Sequence, residues 1–439
     1  MGDVVGFVSE RHAWLRDLFS VTTRAGVSLR GAILGDGRLR LEVGAGPTTE
    51  LTLVVRAGAD GAPAFARAGQ FSVGFEGTAN LDARQREMVM RTCGVIERLD
   101  RTMPSALDGF SAIVRPSGDP AADLRRLFPF LDVERSRHRE TGIDEVLVRA
   151  TPKCNQACPF CSAPDHDQPD AEALLACFSA VSRWLPGATL TFTGGEPTLR
   201  PRFVDEITTA RRHAGIGRVV VQTNAVLFAT ARDPGALPAG PDLAFFVSLH
   251  AVDPAIYDAC TGRSGQLPAA LDGIRRLLAA GHEVTLNAVV SRHNVGHLTE
   301  LAEQLPILLP GDNRPRLHFS TLMCPEGRPE AAELLVPYRE VARAVLSATE
   351  QAREVGLFVE SPLSSTHASL PACTVPADVA ADRPAPEIGA HETGYGTAHT
   401  PWVKAASCRS CRETAHCLGV PQAYAQRFGL DELVPLRGA

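Results

Sequence analysis

The chain has 439 residues, enough for more than one hydrophobic core, and its 44% hydrophobic and 21% charged content is that of an ordinary globular protein. With 44 basic against 50 acidic side chains, a net charge of −6 and no basic block, the sequence favours neither nucleic acid nor an anionic membrane as partner. It lacks an export signal at the N-terminus and any run of about 18 apolar residues, so a cytoplasmic protein is expected.

Residues 1–140 read as a strand-rich α+β domain. Short β-like runs (Val27–Leu34, Leu39–Val43, Glu50–Ala57, Gln70–Phe75) alternate with Gly-rich turns. A helix from Asp82 to Leu99 follows, with Met88, Val89, Cys93, Val95, Ile96 and Leu99 on one stripe. This segment shows no catalytic constellation; substrate recognition or structural cover are its available roles.

From residue 141 to about 330 the pattern changes to strands alternating with helices. Strands are expected at Glu145–Thr151, Thr189–Phe192, Arg218–Thr223, Asp242–Leu249, Glu283–Ser291 and Arg316–Leu322. Helices are expected at Asp170–Trp184, Arg202–Ala214, Leu267–Ala280 and Asn294–Gln304. The strands read as near-continuous apolar runs, as when both faces of a parallel sheet are covered. The fold class is therefore α/β, a partial (β/α)6 TIM-like barrel whose site lies at the C-terminal ends of its strands. Residues 331–439 form a cysteine-rich cap: a helix over 335–354, a short strand at Gly356–Glu360, an irregular stretch over 361–407, then a cysteine-bearing tail.

Of eleven cysteines, seven fall in two groups, which argues for metal ligation in a reducing compartment. Cys93, Cys177, Cys260 and Cys324 are scattered and read as buried apolar residues. Cys154, Cys158 and Cys161 occupy one Pro-containing loop straight after the first barrel strand. A closed structural metal site takes four protein ligands, whereas a reactive one keeps a position open. Three clustered thiols without a local fourth therefore suggest a cube-shaped iron–sulfur cluster with one iron left for a small molecule. A zinc loop is the other reading of this spacing. In the tail, Cys408, Cys411 and Cys417, with Cys373 upstream, suffice for a closed 4Fe–4S cluster and equally suit a four-cysteine zinc site; Cys324 is an alternative to Cys373.

After the second strand comes Thr193-Gly194-Gly195-Glu196-Pro197. Two glycines let a backbone approach a ligand closely, and a carboxylate at a strand end accepts hydrogen bonds from a ligand ammonium. The alternative is a plain strand-to-helix turn started by Pro197. Cys154-x3-Cys158-x2-Cys161, with Phe160 before the last cysteine, together with this turn, resembles the radical S-adenosylmethionine (radical SAM) superfamily over about residues 143–323. Gln222-Thr223-Asn224 resembles that family's Thr-Asn-Gly strand end, with Ala225 in place of the glycine. Ser248-Leu249-His250 resembles the strand end that meets the cofactor's ribose, and Asn287–Val290 the segment beside its adenosine.

The resemblance implies a 4Fe–4S cluster on Cys154, Cys158 and Cys161, and S-adenosyl-L-methionine held by Gly194, Gly195, Glu196, Asn224, Ser248, Asn287 and Val290. It implies reductive cleavage of that cofactor to a 5′-deoxyadenosyl radical, hydrogen abstraction from a substrate, and an electron donor such as flavodoxin or ferredoxin. The tail resembles the SPASM and twitch extensions that carry an auxiliary 4Fe–4S cluster, here on Cys373, Cys408, Cys411 and Cys417. Such extensions accompany enzymes that modify ribosomally made peptides; a small-molecule substrate, or a non-catalytic iron–sulfur or zinc protein, are the alternatives. No acid–base residue is singled out, and no histidine pair has convincing metal spacing; His293 and His297, at a helix start, read as exposed or capping residues.

Overall fold

The computed structural model describes residues 29–35, 38–43, 51–57, 66–68, 71–76, 81–99, 112–114, 121, 124–125, 128–135, 144–163, 166–324, 328–360, 370–381, 401–414 and 417–437. The chain forms two compact units: Met1–Leu131 with Pro169–Gly187 and Arg212–Ile216, and Asp132–Gln168 with Ala188–Arg211 and Gly217–Ala439.

The first unit holds a six-stranded sheet of β1 (Leu29–Gly35), β2 (Arg38–Val43), β3 (Leu51–Ala57), β4 (Ala66–Ala68), β5 (Phe71–Glu76) and β6 (Ala112–Val114), in the order β4-β5-β3-β2-β1-β6. All its pairings are antiparallel. The expected strands differ from these by a residue or two, while β4 and β6 are too short to register as periodic runs. Helix α1 (Ala83–Leu99) buries the stripe of Met88, Val89, Cys93, Val95 and Ile96. Helix α2 (Ala171–Trp184) starts where Asp170 accepts a hydrogen bond from Ala173 N at 2.6 Å.

The second unit is built on an eight-stranded sheet. Its strands are β7 (Leu131–Arg135), β8 (Asp144–Thr151), β9 (Ala188–Gly194), β10 (Ile216–Thr223), β11 (Leu243–Ser248), β12 (Glu283–Val290), β13 (Arg316–Thr321) and β14 (Phe358–Val359). They lie in simple order from β14 to β7. The pairs β8–β9, β10–β11, β11–β12, β12–β13 and β13–β14 are parallel. The six expected strands are all present, and β7 and β14 extend them at the two ends.

Strand faces differ from the expected all-apolar runs. In parallel register, partner residues point to the same side and alternate along each strand. One side carries Val146, Val148, Leu190, Phe192, Val221, Phe245, Val247, Leu286, Ala288, Leu317 and Phe319, all buried. On it an edge-on aromatic chain runs from Phe203 through Phe228 and Phe245 to His282, with centroids 6.2, 5.5 and 4.9 Å apart. The other side carries Glu145, Arg149, Thr191, Thr193, Gln222, Ser248, Thr285, Asn287, His318 and Ser320. Thr191 donates to Glu145, Thr193 to Gln222, and Ser320 to Asn287, at 2.5–2.7 Å. The barrel thus has an apolar outer face and a hydrogen-bonded polar inner one.

Helices follow the strands with local signals of their own. Helix α3 (Phe203–Arg211) has acidic residues in its first turn and Arg211 in its last, as the helix dipole favours. The sequence reading overlooked α4 (Pro254–Thr261), only two turns long. Asp253 caps it by accepting from Ala255 N and Ile256 N, and Gly262, at φ 62°, ends it. Helices α5 (Leu267–Ala279), α6 (Leu298–Leu308) and α7 (Tyr338–Glu354) follow, α8 (Gln422–Phe428) lies in the tail, and single helical turns occur at Pro329–Ala332 and Ala377–Ala381. The Glu432 carboxylate accepts from Tyr338 N and Arg339 N, capping α7 from 93 residues away. Among the described residues no helix is long and apolar enough to cross a membrane.

Candidate functional site

The Pro152–Cys161 loop leaves the C-terminal end of β8 and is tied down along its length. Ala157 N donates to Thr261 O at 2.8 Å, at the end of α4. Gln156 donates through Nε2 to the hydroxyl of the fully buried Tyr257 at 3.0 Å. Asn155 accepts at Oδ1 from Asn224 Nδ2 at 2.6 Å, and its carbonyl accepts from Gln266 Nε2 at 3.2 Å. Cys161 N donates to Cys158 O. Cys154 is exposed, Cys158 and Cys161 are half-buried, and all three thiols are free.

The Gly194-Gly195 turn is pressed onto this loop. Gly195 N donates to Thr151 O at 2.6 Å and Glu196 N to Lys153 O at 2.8 Å. Gly194 has φ 114°, and a Cβ there would stand 2.6 Å from Thr151 O; one on Gly195 would stand 2.2 Å from Lys153 O. Neither position tolerates a side chain. The requirement the sequence attached to ligand approach is first a requirement for approach of the cysteine loop.

The Glu196 carboxylate turns into the protein. Its Oε1 accepts from Thr198 N, Thr198 Oγ1 and Thr223 Oγ1 at 3.1, 2.5 and 2.7 Å, and its Oε2 from Asn224 N at 2.8 Å. Burial raises its pKa, while these donors pull the other way. The side chain caps the turn Pro197–Leu199 and joins β9 to the end of β10, the strand-to-helix alternative weighed for this motif. Behind it, Arg200 pairs with Glu206 through two bonds of 2.7 and 2.6 Å and donates to Ala150 O at 2.7 Å, all buried.

Asn224 is a linchpin: backbone to Glu196, side chain to Asn155, and Oδ1 accepting from Val226 N at 3.1 Å. Ala225, in the position where a glycine was noted as missing, adopts φ 60°. Its carbonyl lies where a Cβ on Gly273 of α5 would come within 2.0 Å.

Ser248, Asn287 and His318 stand in register across β11, β12 and β13 on the polar face. Val290 belongs to the opposite, apolar face and is buried, so its side chain does not share a surface with Asn287. His250 is buried, edge-on to Phe160 at 5.2 Å, and accepts at Nδ1 from Val289 N at 3.2 Å. Burial lowers its pKa to about 4, so the ring is neutral and its proton sits on Nε2.

In the tail, Cys408, Cys411 and Cys417 come within electrostatic reach of Cys373. Cys373 lies in the turn Ala372–Thr374 and Cys408 in Ala406–Ser410; Cys411 N donates to Cys408 O, and Cys417 accepts from Gly419 N at 3.3 Å. Burial, then Cys417, Cys411 and Cys408, push the Cys373 thiol up to about 12. Cys324 is buried, and burial alone lifts its pKa. In the first group, burial and then Cys161 and Cys154 push Cys158 up to about 12, while burial, Glu196 and Cys161 raise Cys154. At Cys154, Cys158 and Cys373 the neighbouring sulfurs oppose ionisation, a cost that a cationic iron–sulfur cluster would relieve. In number and type the donors suit such clusters, three thiols in the barrel loop and four in the tail, while among the described residues no group of three or more His, Cys, Asp or Glu side chains stands close enough to hold a metal ion as placed.

Residues 148–305 match the Radical SAM superfamily. This segment is similar to a radical SAM domain. Among curated relatives of that domain are a probable GTP 3′,8-cyclase of Sulfolobus acidocaldarius, 31% identical over 165 residues, and a PqqA peptide cyclase of Streptomyces rochei, 32% identical over 168. Each alignment covers 36% of this chain, and respectively 50% and 45% of the relative; the chain spans about half the length of the curated relatives it matches. A crystal structure of Streptococcus suis SuiB bound to S-adenosylmethionine is 12% identical, with a TM-score of 0.46, covering 92% of this chain and 99% of that one.

The structure brings forward residues that no sequence motif marks. Asn155, Gln156 and Arg200 flank recognised motifs but belong to none of them. His318 and Glu360 are 42 residues apart and meet at 2.8 Å only because β13 and β14 pair. No local sequence signal marks that pair.

Proposed function

We propose that the protein is a radical SAM enzyme acting on a ribosomally made peptide. The observation that carries the enzyme reading is the join between the cysteine loop and the Gly194-Gly195 turn. It holds three free thiols beside the ends of β9 and β10, with no fourth cysteine in the loop. Cys154, Cys158 and Cys161 would hold the cluster. The Gly194–Glu196 backbone, Asn224, Ser248 and Asn287 would line the cofactor's place. When bound, cluster and cofactor supply one-electron cleavage of a carbon–sulfur bond and a hydrogen-abstracting carbon radical. The chain's own share is to fix the loop through Asn155, Gln156 and Asn224, and to present a polar inner wall to the substrate. Cys373, Cys408, Cys411 and Cys417 would carry a second 4Fe–4S cluster, with reduction by a flavodoxin or ferredoxin in the cytoplasm.

Residues 1–140 are proposed as a substrate-recognition domain, 141–330 as the radical SAM barrel and 331–439 as the cap. Peptide cyclases among the relatives favour a peptide, whereas a relative named as a GTP cyclase favours a nucleotide as the second reading.

The test uses anaerobically reconstituted protein with dithionite and S-adenosylmethionine. 5′-Deoxyadenosine above a Cys154→Ala control supports the enzyme reading, and its absence overturns it. A cofactor-dependent mass change in short peptides encoded beside its gene supports the peptide; conversion of GTP instead establishes the second reading. Iron and sulfide retained by the Cys154/Cys158/Cys161 triple Ala variant support the second cluster, while zinc, or no iron, refutes it.

A further inference from the structure

Several residues of the polar face are paired with one another, and His318 is paired through one ring nitrogen only. Its ring is buried between Phe246, with centroids 5.6 Å apart, and the strand-register neighbour Asn287. Nδ1 lies 2.8 Å from Glu360 Oε2. A carboxylate only accepts, so Nδ1–H donates to it, and in the uncharged form of the ring Nε2 is the acceptor. The neighbouring Asn287 accepts at Oδ1 from Ser320 Oγ at 2.7 Å and donates no hydrogen bond to the ring. Nε2 has no hydrogen-bond partner among the described residues and is not sealed from solvent. The other charged groups on this face are Glu145, Arg149, Arg218, Glu283 and Arg316: Glu283 pairs with Arg218 at 2.7 Å and with Arg316 at 3.8 Å toward the N-terminal ends of their strands, Arg149 pairs with Asp132 at 2.8 Å, and Glu145 accepts from Thr191. A histidine backed by a carboxylate, with its far nitrogen open, is the arrangement of a general base.

We infer that His318, oriented by Glu360, is an acid–base site that accepts a hydrogen bond and then a proton from an N–H or O–H of the substrate. The inference rests on the radical SAM reading for the substrate's location. His318 is the group that touches substrate, and Glu360 is a positioning residue. The proton leaves the substrate heteroatom for Nε2, and the dyad becomes an imidazolium–carboxylate pair, with no oxidant or reductant involved. The site stands one strand beyond Asn287 and two beyond Ser248, beside the proposed cofactor wall.

Three measurements test this on the full chain. First, histidine-selective ¹⁵N NMR of the protein, with His318 assigned by its loss in His318→Gln, reads the tautomer. A Nδ1–H ring that reverts to Nε2–H in Glu360→Ala is expected; Nε2–H in the wild type overturns the inference. Second, 5′-deoxyadenosine formation without substrate should be unchanged in His318→Gln and His318→Asn; loss in both assigns the residue to the cofactor's place and overturns its substrate role. Third, with the substrate found above, product per 5′-deoxyadenosine should fall by about 10²-fold in both His318 variants, and less in Glu360→Gln. An unchanged ratio overturns it. If the wild type forms no 5′-deoxyadenosine, the radical SAM reading fails, and the tautomer result still judges the dyad.

Discussion

Replacing Gly195 with alanine puts the join between the two motifs to a quantitative test. The added Cβ would stand 2.2 Å from Lys153 O, 2.6 Å from its carbonyl carbon and 3.0 Å from Pro152 C, all backbone atoms that no rotamer change can move. Relief requires the turn and the cysteine loop to part by about 1 Å, and overpacking of this kind costs about 1–3 kcal/mol. The same movement breaks Gly195 N–Thr151 O and Glu196 N–Lys153 O, each worth about 1 kcal/mol net. The sum is about 3–5 kcal/mol, a large part of the roughly 5–15 kcal/mol that keeps a domain folded. Gly296→Ala is the control: its Cβ would meet nothing within 4 Å, and its φ is not positive. Urea unfolding should show a large fall in midpoint for Gly195→Ala and a change within about 0.5 kcal/mol for Gly296→Ala. Iron bound per chain after reconstitution should fall with the first variant alone. A Gly195→Ala protein within about 1 kcal/mol of wild type, with full iron content, refutes the view that the two motifs are held by backbone contact.

Ala225→Gly should stabilise the protein by up to about 1 kcal/mol, because it removes a left-handed alanine, and thermal unfolding measures it. Arg200→Leu leaves the buried Glu206 carboxylate without its partner and should cost about 3–5 kcal/mol in urea unfolding; a near-neutral result would mean the pair does not brace the turn. His250 titrates near 4 when folded and near 6.5 when unfolded, so the unfolded chain binds the proton first. Stability should therefore fall as pH drops from about 6.5 to about 4, by roughly 3 kcal/mol at most, and His250→Gln, which keeps an acceptor for Val289 N, should flatten that slope.

The Cys154–Cys161 loop and the glycine turn were legible because each has its residues close together in sequence. The main β/α rhythm was legible because helix and strand periodicities differ. Short elements escaped: α4 is eight residues long and β14 two, below the length at which periodicity speaks. The apolar and polar faces of the barrel escaped for another reason. The polar positions are mostly threonine, serine, asparagine and glutamine, which a strand accommodates without breaking its apolar look, so only the register reveals that they share one wall.

The sequence by itself determined the candidate groups: three thiols on a loop after one strand, a glycine turn after the next, four more thiols in the tail. It did so because loop conformation and ligand count are written in local composition. The tertiary structure alone decided what each side chain does there. It turned the Glu196 carboxylate inward to bind Thr198, Thr223 and Asn224, separated Val290 from Asn287, and brought Glu360 onto His318. Those outcomes depend on strand register and on close approach of backbones distant in sequence, and no residue carries them alone.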